Sequence, residues 1–261
     1  MPTASSNEST VTHADLLQGL AQLGLESADT VLVHSSMKSF GHVDGGPDTV
    51  IDALLEALGP RGCLVMPTLT MGAAENPVVY DVRQSPSNAG LITEVFRQRP
   101  EALRSRHPLS SGAAMGQAAD ELTRYHLDTP ADLLSPYGQV YLRGGWCLFL
   151  GAPWNSNTMF HVAEELVQAP YLSFAQFHNA QMIDTDGQKH VVTFRRYNCY
   201  QSGVIRDLDA MAPHYEKSGI VRHGRIGASN CRLILARDIV DVSTDLLRRN
   251  PEQILSYETT G

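Results

Sequence analysis

Between residues 30 and 67 the chain sets two short apolar runs either side of an amphipathic stretch, a pattern that few folds accept. Thr30-Val31-Leu32-Val33-His34 is a β-branched run of strand length that ends in Ser35-Ser36. Cys63-Leu64-Val65-Met66-Pro67 is a second such run. Both read as buried strands. Between them Val50, Ile51, Leu54, Leu55 and Leu58 keep helical spacing, entered at Gly45-Gly46-Pro47-Asp48 and closed by a Gly59-Pro60-Arg61-Gly62 turn. Strand, helix and strand in succession predict an α/β fold whose functional loops leave the strand ends.

Other segments extend the pattern. Thr12-His13-Ala14-Asp15 opens a helix with capping-box spacing, carried by Leu16, Leu17, Leu20 and Leu23. Residues 89–99 and 117–126 read as helices, and Gln139-Val140-Tyr141-Leu142 with Cys147-Leu148-Phe149-Leu150-Gly151 as a strand pair. Residues 181–194 alternate as a hairpin around Asp184-Thr185-Asp186-Gly187. Ile205, Leu208, Met211 and Tyr215 mark a helix, Gly224-Arg225-Ile226-Gly227 a turn, residues 231–236 a strand and residues 237–249 a last helix. The expectation is a single large α/β domain over residues 12–261, with a central mixed β-sheet flanked by helices, a smaller β-rich C-terminal portion, and a loose tail at residues 1–11.

Chemistry concentrates in Asn157-Thr158-Met159-Phe160-His161-Val162-Ala163-Glu164-Glu165. His161 and Glu164 lie three residues apart and share one face of a helix. A carboxylate placed there fixes the imidazole tautomer and raises its basicity. Thr158 offers a hydroxyl on the same side, and Asn157 and Thr158 are N-cap types. On spacing alone such a pair is more often a partly exposed polar contact on an amphipathic helix. A helical zinc site would need a second histidine, which Glu165 replaces.

Two loops suit anions. Val33-His34-Ser35-Ser36-Met37-Lys38-Ser39-Phe40-Gly41 places hydroxyls, a lysine and a glycine at the end of a buried strand, without the glycine order of a Walker or Rossmann loop. Arg104-Ser105-Arg106-His107-Pro108-Leu109-Ser110-Ser111-Gly112 is a second loop of that kind. Either is also readable as an ordinary polar turn. Together with His161 they point to a nucleotide-containing acyl carrier. The acidic balance, 28 Asp and Glu against 20 Lys and Arg, argues against nucleic acid as a partner and is compatible with a cationic substrate. Four scattered cysteines without CxxC spacing indicate neither a zinc cluster nor a disulfide framework. No apolar run reaches the length of a membrane span and the polar start lacks a signal-peptide core, so a cytoplasmic protein is expected.

In order along the chain, Val33-His34-Ser35-Ser36, Gly45-Gly46-Pro47, residues 62–68, Tyr80-Asp81 with Ser85-Pro86-Ser87, residues 104–108, Ser135-Pro136-Tyr137-Gly138, Leu150-Gly151 and residues 157–164 resemble the aminoglycoside 3-N-acetyltransferase family. That fold is unrelated to the GNAT acetyltransferases. The resemblance covers residues 12–240 and implies acetyl transfer from acetyl-CoA to an amine, the 3-amino group, of an aminoglycoside, conferring resistance. It makes His161 the general base of a direct transfer, with Glu164 and Thr158 beside it as catalytic residues. Coenzyme A contacts are expected at His34, Ser35, Ser36, Lys38, Ser39, Phe40 and Gly41, and at Arg106, His107 and Ser110. Acceptor contacts are expected at Tyr80, Asp81, Glu165 and Asn198. The chain is expected to act as a monomer or homodimer, without a membrane and without a metal: its last residues, Ser256-Tyr257-Glu258-Thr259-Thr260-Gly261, lack the cysteine and histidine ligands that some relatives carry. One departure stands out. Family members often carry a carboxylate after the late hairpin to orient the histidine, whereas Arg195-Arg196-Tyr197-Asn198-Cys199-Tyr200 has none. Either Glu164 orients His161 or Asn198 substitutes as a neutral partner. Two other readings are the same fold acetylating another small-molecule amine, and a coenzyme A-binding protein that has lost catalysis.

Overall fold

Thr12 opens the first helix with a reciprocal cap: Asp15 N–H donates to its hydroxyl at 3.2 Å, and Thr12 N–H donates to the Asp15 carboxylate at 2.8 Å. The structure, a computed structural model, describes residues 10–70, 78–199 and 203–257. After helix α1 (His13–Leu23) come strand β1 (Thr30–Ser35), helix α2 (Gly46–Leu58) and strand β2 (Cys63–Pro67). Then follow β3 (Val79–Asp81), α3 (Leu91–Arg97), β4 (Leu103–Arg104), β5 (Gly112–Gly116) and α4 (Ala119–Thr123). Helix α5 (Pro136–Leu142), β6 (Trp146–Leu150) and α6 (Thr158–Val167) precede a hairpin of β7 (Phe174–Ile183) and β8 (Lys189–Tyr197). The chain continues through β9 (Val204–Arg206), α7 (Ala212–Lys217), β10 (Arg222–Ile226), β11 (Ser229–Leu235), α8 (Ala236–Arg249) and β12 (Leu255–Tyr257).

The central sheet has seven strands in the order β10-β11-β6-β1-β2-β5-β4. Its middle, β6-β1-β2, is parallel, and antiparallel strands extend it on both sides, so the sheet is mixed. Alternation along the parallel strands divides the core between two faces. Val31, Val33, Leu64, Met66, Leu148 and Leu150 face α1, α2 and α3, while Leu32, Val65, Cys147 and Phe149 face α5, α6 and α8. Each of these strand side chains is essentially unexposed and contributes on the order of 1.5–3 kcal/mol by leaving water. Burial on both faces is why these runs carry no polar alternation. His34 falls in phase with Leu32, so strand periodicity aims its imidazole at the face that α6 covers.

A second sheet, β3-β7-β8, and a two-stranded ribbon, β12-β9, make the smaller β-rich portion. Both late strands β10 and β11 join the central sheet instead. Several local expectations are corrected. Residues 139–142 belong to helix α5, because Ser135 caps Gly138 N–H at 3.0 Å and Pro136 holds the first helical position. Only the second half of the expected pair, β6, is a strand. The helix expected across residues 205–215 is broken into β9, a 3₁₀ turn at Leu208–Met211 and α7, the turn being started by the Asp207 side chain accepting from Asp209 N–H. Helices α3 and α4 are shorter than expected, and residues 224–226 lie within β10, with the turn only at Gly227. No helix among the described residues is long and apolar enough to cross a membrane.

Candidate active site

The parallel strands β1 and β2 end at a common edge, and α6 starts there after β6. Neighbouring parallel strands that lead away in opposite directions leave a crevice at their carboxyl ends. A cavity of about 530 Å³ opens at this point, reached by Ser35, Pro67, Ser110, Thr158 and His161.

His161 stands on the first turn of α6, with its side chain 22% exposed and therefore reachable. Its Nδ1 lies 2.5 Å from Glu164 Oε2, the i,i+3 geometry of one helical turn. The Glu164 carboxylate is wholly buried, and burial on that scale is tolerated because three donors meet it. Arg206 Nη1 donates to Oε2 at 2.9 Å and the Tyr171 hydroxyl donates to Oε1 at 2.7 Å. Burial alone would push the carboxyl up, but His161, Arg206 and Tyr171 together outweigh it and hold Glu164 ionised. Burial is also the largest influence on His161 and lowers it, with Glu164 opposing and Arg206 reinforcing the shift. At neutral pH the ring is therefore an uncharged imidazole that donates Nδ1–H to Glu164 and leaves the Nε2 lone pair free. The Tyr197 ring packs beside it at 5.2 Å, and Tyr197 is held in turn by its hydroxyl donating to Glu165 at 2.6 Å.

His34 approaches from β1. Its Nε2 accepts from Thr158 N–H at 3.1 Å and lies 3.0 Å from the Thr158 hydroxyl, while its ring stacks on Phe149. The N-cap residue Asn157 makes no side-chain cap, so an imidazole from another strand supplies the acceptor at the start of α6. Burial, helped by His161 nearby, drives His34 down to about 3 and keeps it neutral.

A sequence model of the aminoglycoside 3-N-acetyltransferase family matches residues 32–248. The chain is 36% identical to aminoglycoside N(3)-acetyltransferase VII of Streptomyces paromomycinus, over 88% of this chain and 89% of that one. The chain belongs to the aminoglycoside 3-N-acetyltransferase family. It is an acyltransferase of that class. Its fold is similar to that of AAC-IIIb, solved with CoASH, with a TM-score of 0.82 and 26% identity over 92% of this chain and 97% of that one. It is also similar to a mutant of AAC(3)-IVa solved with apramycin, with a TM-score of 0.79 and 28% identity over 94% and 95% of the two chains.

Within this acetyltransferase, the expected residues are only partly brought together. His161, Glu164, Thr158, His34, Ser35 and Ser110 converge at or behind the cavity. Ser36, Lys38, Ser39, Phe40 and Gly41 form a 3₁₀ turn beyond its wall. Ser39 donates to Ser36 O at 2.7 Å and meets Ser229, Phe40 is a core side chain, and Lys38 is exposed outside the cavity. His107 is fully buried: its Nε2–H donates to Arg195 O at 2.9 Å, and Nδ1 accepts from Ser110 N–H at 2.9 Å. It stacks on His126 and holds its loop rather than facing solvent, whereas Arg106 points outward. Tyr80 is also a core residue, with its hydroxyl on Ser105 O at 2.8 Å, and Asp81 folds its own loop by accepting from Arg83 and Gln84 N–H. Neither lines the cavity. Glu165 is taken up by Thr129, Ala131 and Tyr197, so it supports the wall from behind. Asn198 donates its N–H to Ser173 O and makes no hydrogen bond to His161; Glu164 is the group within hydrogen-bonding reach.

Arg206 and Tyr171 escape the sequence reading altogether. Arg206 lies 42 residues from Glu164 and reaches it only because β9 passes beside α6. Tyr171, seven residues on, sits past the end of α6, where helical spacing no longer applies.

Proposed function

We propose that this protein transfers the acetyl group of acetyl-CoA directly to an amine, the 3-amino group, of an aminoglycoside, with His161 as general base, and so confers resistance. The observation that carries the reading is the buried Arg206–Glu164–His161 chain, which ends in an imidazole nitrogen at a cavity wall.

The acceptor amine is an ammonium at neutral pH and must be deprotonated before it can attack. One ammonium proton leaves to solvent, and Nε2 of His161 takes a second from the nitrogen as it attacks, while Glu164 stabilises the resulting imidazolium and Arg206 and Tyr171 keep the carboxylate aligned. The nitrogen adds to the thioester carbonyl and forms the C–N bond. The negative charge on the tetrahedral oxygen is met by donors at the start of α6, where the Thr158 hydroxyl stands on the cavity wall. Collapse breaks the C–S bond, and the imidazolium returns its proton to the departing thiolate. Holding both substrates in one cavity supplies the proximity that a direct transfer needs.

Release of coenzyme A thiol with gentamicin- and kanamycin-type acceptors tests this, comparing the native enzyme with His161→Ala. Turnover is expected to fall by about 10²–10⁴, the usual contribution of a positioned base. Unchanged turnover in the variant would remove His161 from the mechanism.

A further inference from the structure

Helix α6 presents two carboxylates in succession, and acetyl transfer as written uses only the first. Glu164 and Glu165 leave the helix about 100° apart, so they face different neighbours. Glu164 meets His161 and Arg206, whereas Glu165 turns to the segment before α5 and to β8. Three donors converge on Glu165, the pattern of an ionised carboxylate: the Thr129 hydroxyl at 2.5 Å, Ala131 N–H at 2.8 Å and the Tyr197 hydroxyl at 2.6 Å. Thr129 is held in turn by a buried histidine. His126 donates Nε2–H to Thr129 O at 3.0 Å, and its Nδ1 accepts from the Ser105 hydroxyl at 2.9 Å.

This frame fixes the Tyr197 ring against the base. The ring lies on the cavity wall with its centroid 5.2 Å from that of His161. The nearly unexposed Arg206 guanidinium lies over it at 4.9 Å, and Phe174 packs beside it at 5.5 Å. The bond from Nδ1 to Glu164 anchors one end of the imidazole only, so the ring can pivot about it and carry Nε2 away from the acceptor. We propose that Tyr197 is a positioning residue for the general base, locked by Glu165 so that its ring holds the His161 imidazole with Nε2 toward the cavity and keeps water from the ion pair behind it. The proposal rests on the acetyl-transfer reading for the reaction that His161 serves, but not for the packing or its effect on the imidazole. A misplacement of about 1 Å can cost about 10²-fold in rate. The groups that face His161 are Glu164 on α6, Arg206 on β9, Arg196 and Tyr197 on β8 and His34 on β1. Burial is the largest influence on the ring and lowers its pKa. Removing the Tyr197 ring admits water, relieves that burial and moves His161 up, which shifts the acid limb of kcat/KM to higher pH.

The test compares Tyr197→Ala, Tyr197→Phe and Glu165→Gln with the native enzyme. Coenzyme A thiol release is followed against pH, and the His161 ring is titrated by NMR of histidine-labelled protein, its signal identified by its loss in His161→Ala. Tyr197→Ala is expected to lose about tenfold to 10²-fold in kcat, with the acceptor KM within about threefold of native and His161 titrating at higher pH. Tyr197→Phe and Glu165→Gln keep the ring but free it, and their kcat is expected to fall between the two; they carry the test should Tyr197→Ala not fold. A lowered melting temperature with native kcat and an unmoved His161 titration would make Tyr197 a structural residue and overturn the proposal. A raised acceptor KM with native kcat would make the ring a substrate contact and overturn it too. A shifted His161 titration in a protein that acetylates no amine would defeat the acetyl-transfer reading and leave the positioning of His161 standing.

Discussion

Replacing Glu164 by glutamine isolates the role of its charge, since the amide keeps the shape and one acceptor oxygen. Three consequences follow from the observed contacts. Arg206, itself almost fully buried, loses its counter-charge, and breaking a buried pair from one side costs about 3–5 kcal/mol of stability. The amide nitrogen can donate to Nδ1 of His161, which moves the ring proton to Nε2 and removes the lone pair that faces the cavity. A carboxylate-to-amide change behind a catalytic histidine lowers turnover by about 10⁴ in the serine-protease precedent, and a loss of about 10³–10⁴ is expected here, or about 4–5 kcal/mol of transition-state stabilisation. The pH dependence has a definite sign. Glu164 raises the pKa of His161 against the lowering effect of burial, so its removal moves the acid limb of kcat/KM to lower pH. Coenzyme A thiol release, measured from acid to neutral pH with a parallel thermal melt, reads both effects. A variant with kcat/KM within about threefold of native and an unmoved acid limb would refute the role given to the Glu164 charge; a threefold change is under 1 kcal/mol.

Two further outcomes are expected. His34→Phe keeps the stacking on Phe149 but leaves Thr158 N–H without its acceptor, so thermal denaturation should show a loss of about 1–3 kcal/mol and kcat should fall more than KM rises; an unchanged melting temperature would dismiss the cap. Burial pushes His107 down to about 4, below its ordinary value of 6.5, so the native state binds fewer protons than the unfolded chain. Its contribution, about 3 kcal/mol, is complete above pH 6.5 and lost as pH falls toward 4. Urea denaturation at neutral and acid pH should show a flatter pH slope for His107→Gln than for the native protein, and equal slopes would contradict the assignment.

What could be read without the structure follows a physical division. Strands β1 and β2 and helices α1 and α2 announce themselves because their apolar spacing matches the faces they bury. The Gly112-Ala113-Ala114-Met115-Gly116 strand has no β-branched side chain to mark it, and its identity comes from pairing with β2. Residues 139–142 could not be told from a strand by four mostly apolar positions; Ser135 and Pro136 decide for helix. The polar loops are hard to read for a related reason. Hydroxyls and imidazoles near residues 39 and 107 suggest a ligand, yet most are consumed by each other and by backbone groups of the fold.

The sequence by itself determined the part of the site that one helical turn can hold, His161 beside Glu164, because i,i+3 contact follows from helix geometry alone. Tertiary structure decided everything that gives the pair its character. Arg206, Tyr171 and His34 are delivered by β9, by the turn after α6 and by β1; burial keeps His34 and His161 neutral, and the partners of Glu164 keep it ionised against burial. Side chains that meet across a sheet carry no spacing rule in the chain, and the low-dielectric surroundings that tune them exist only once the layers have packed.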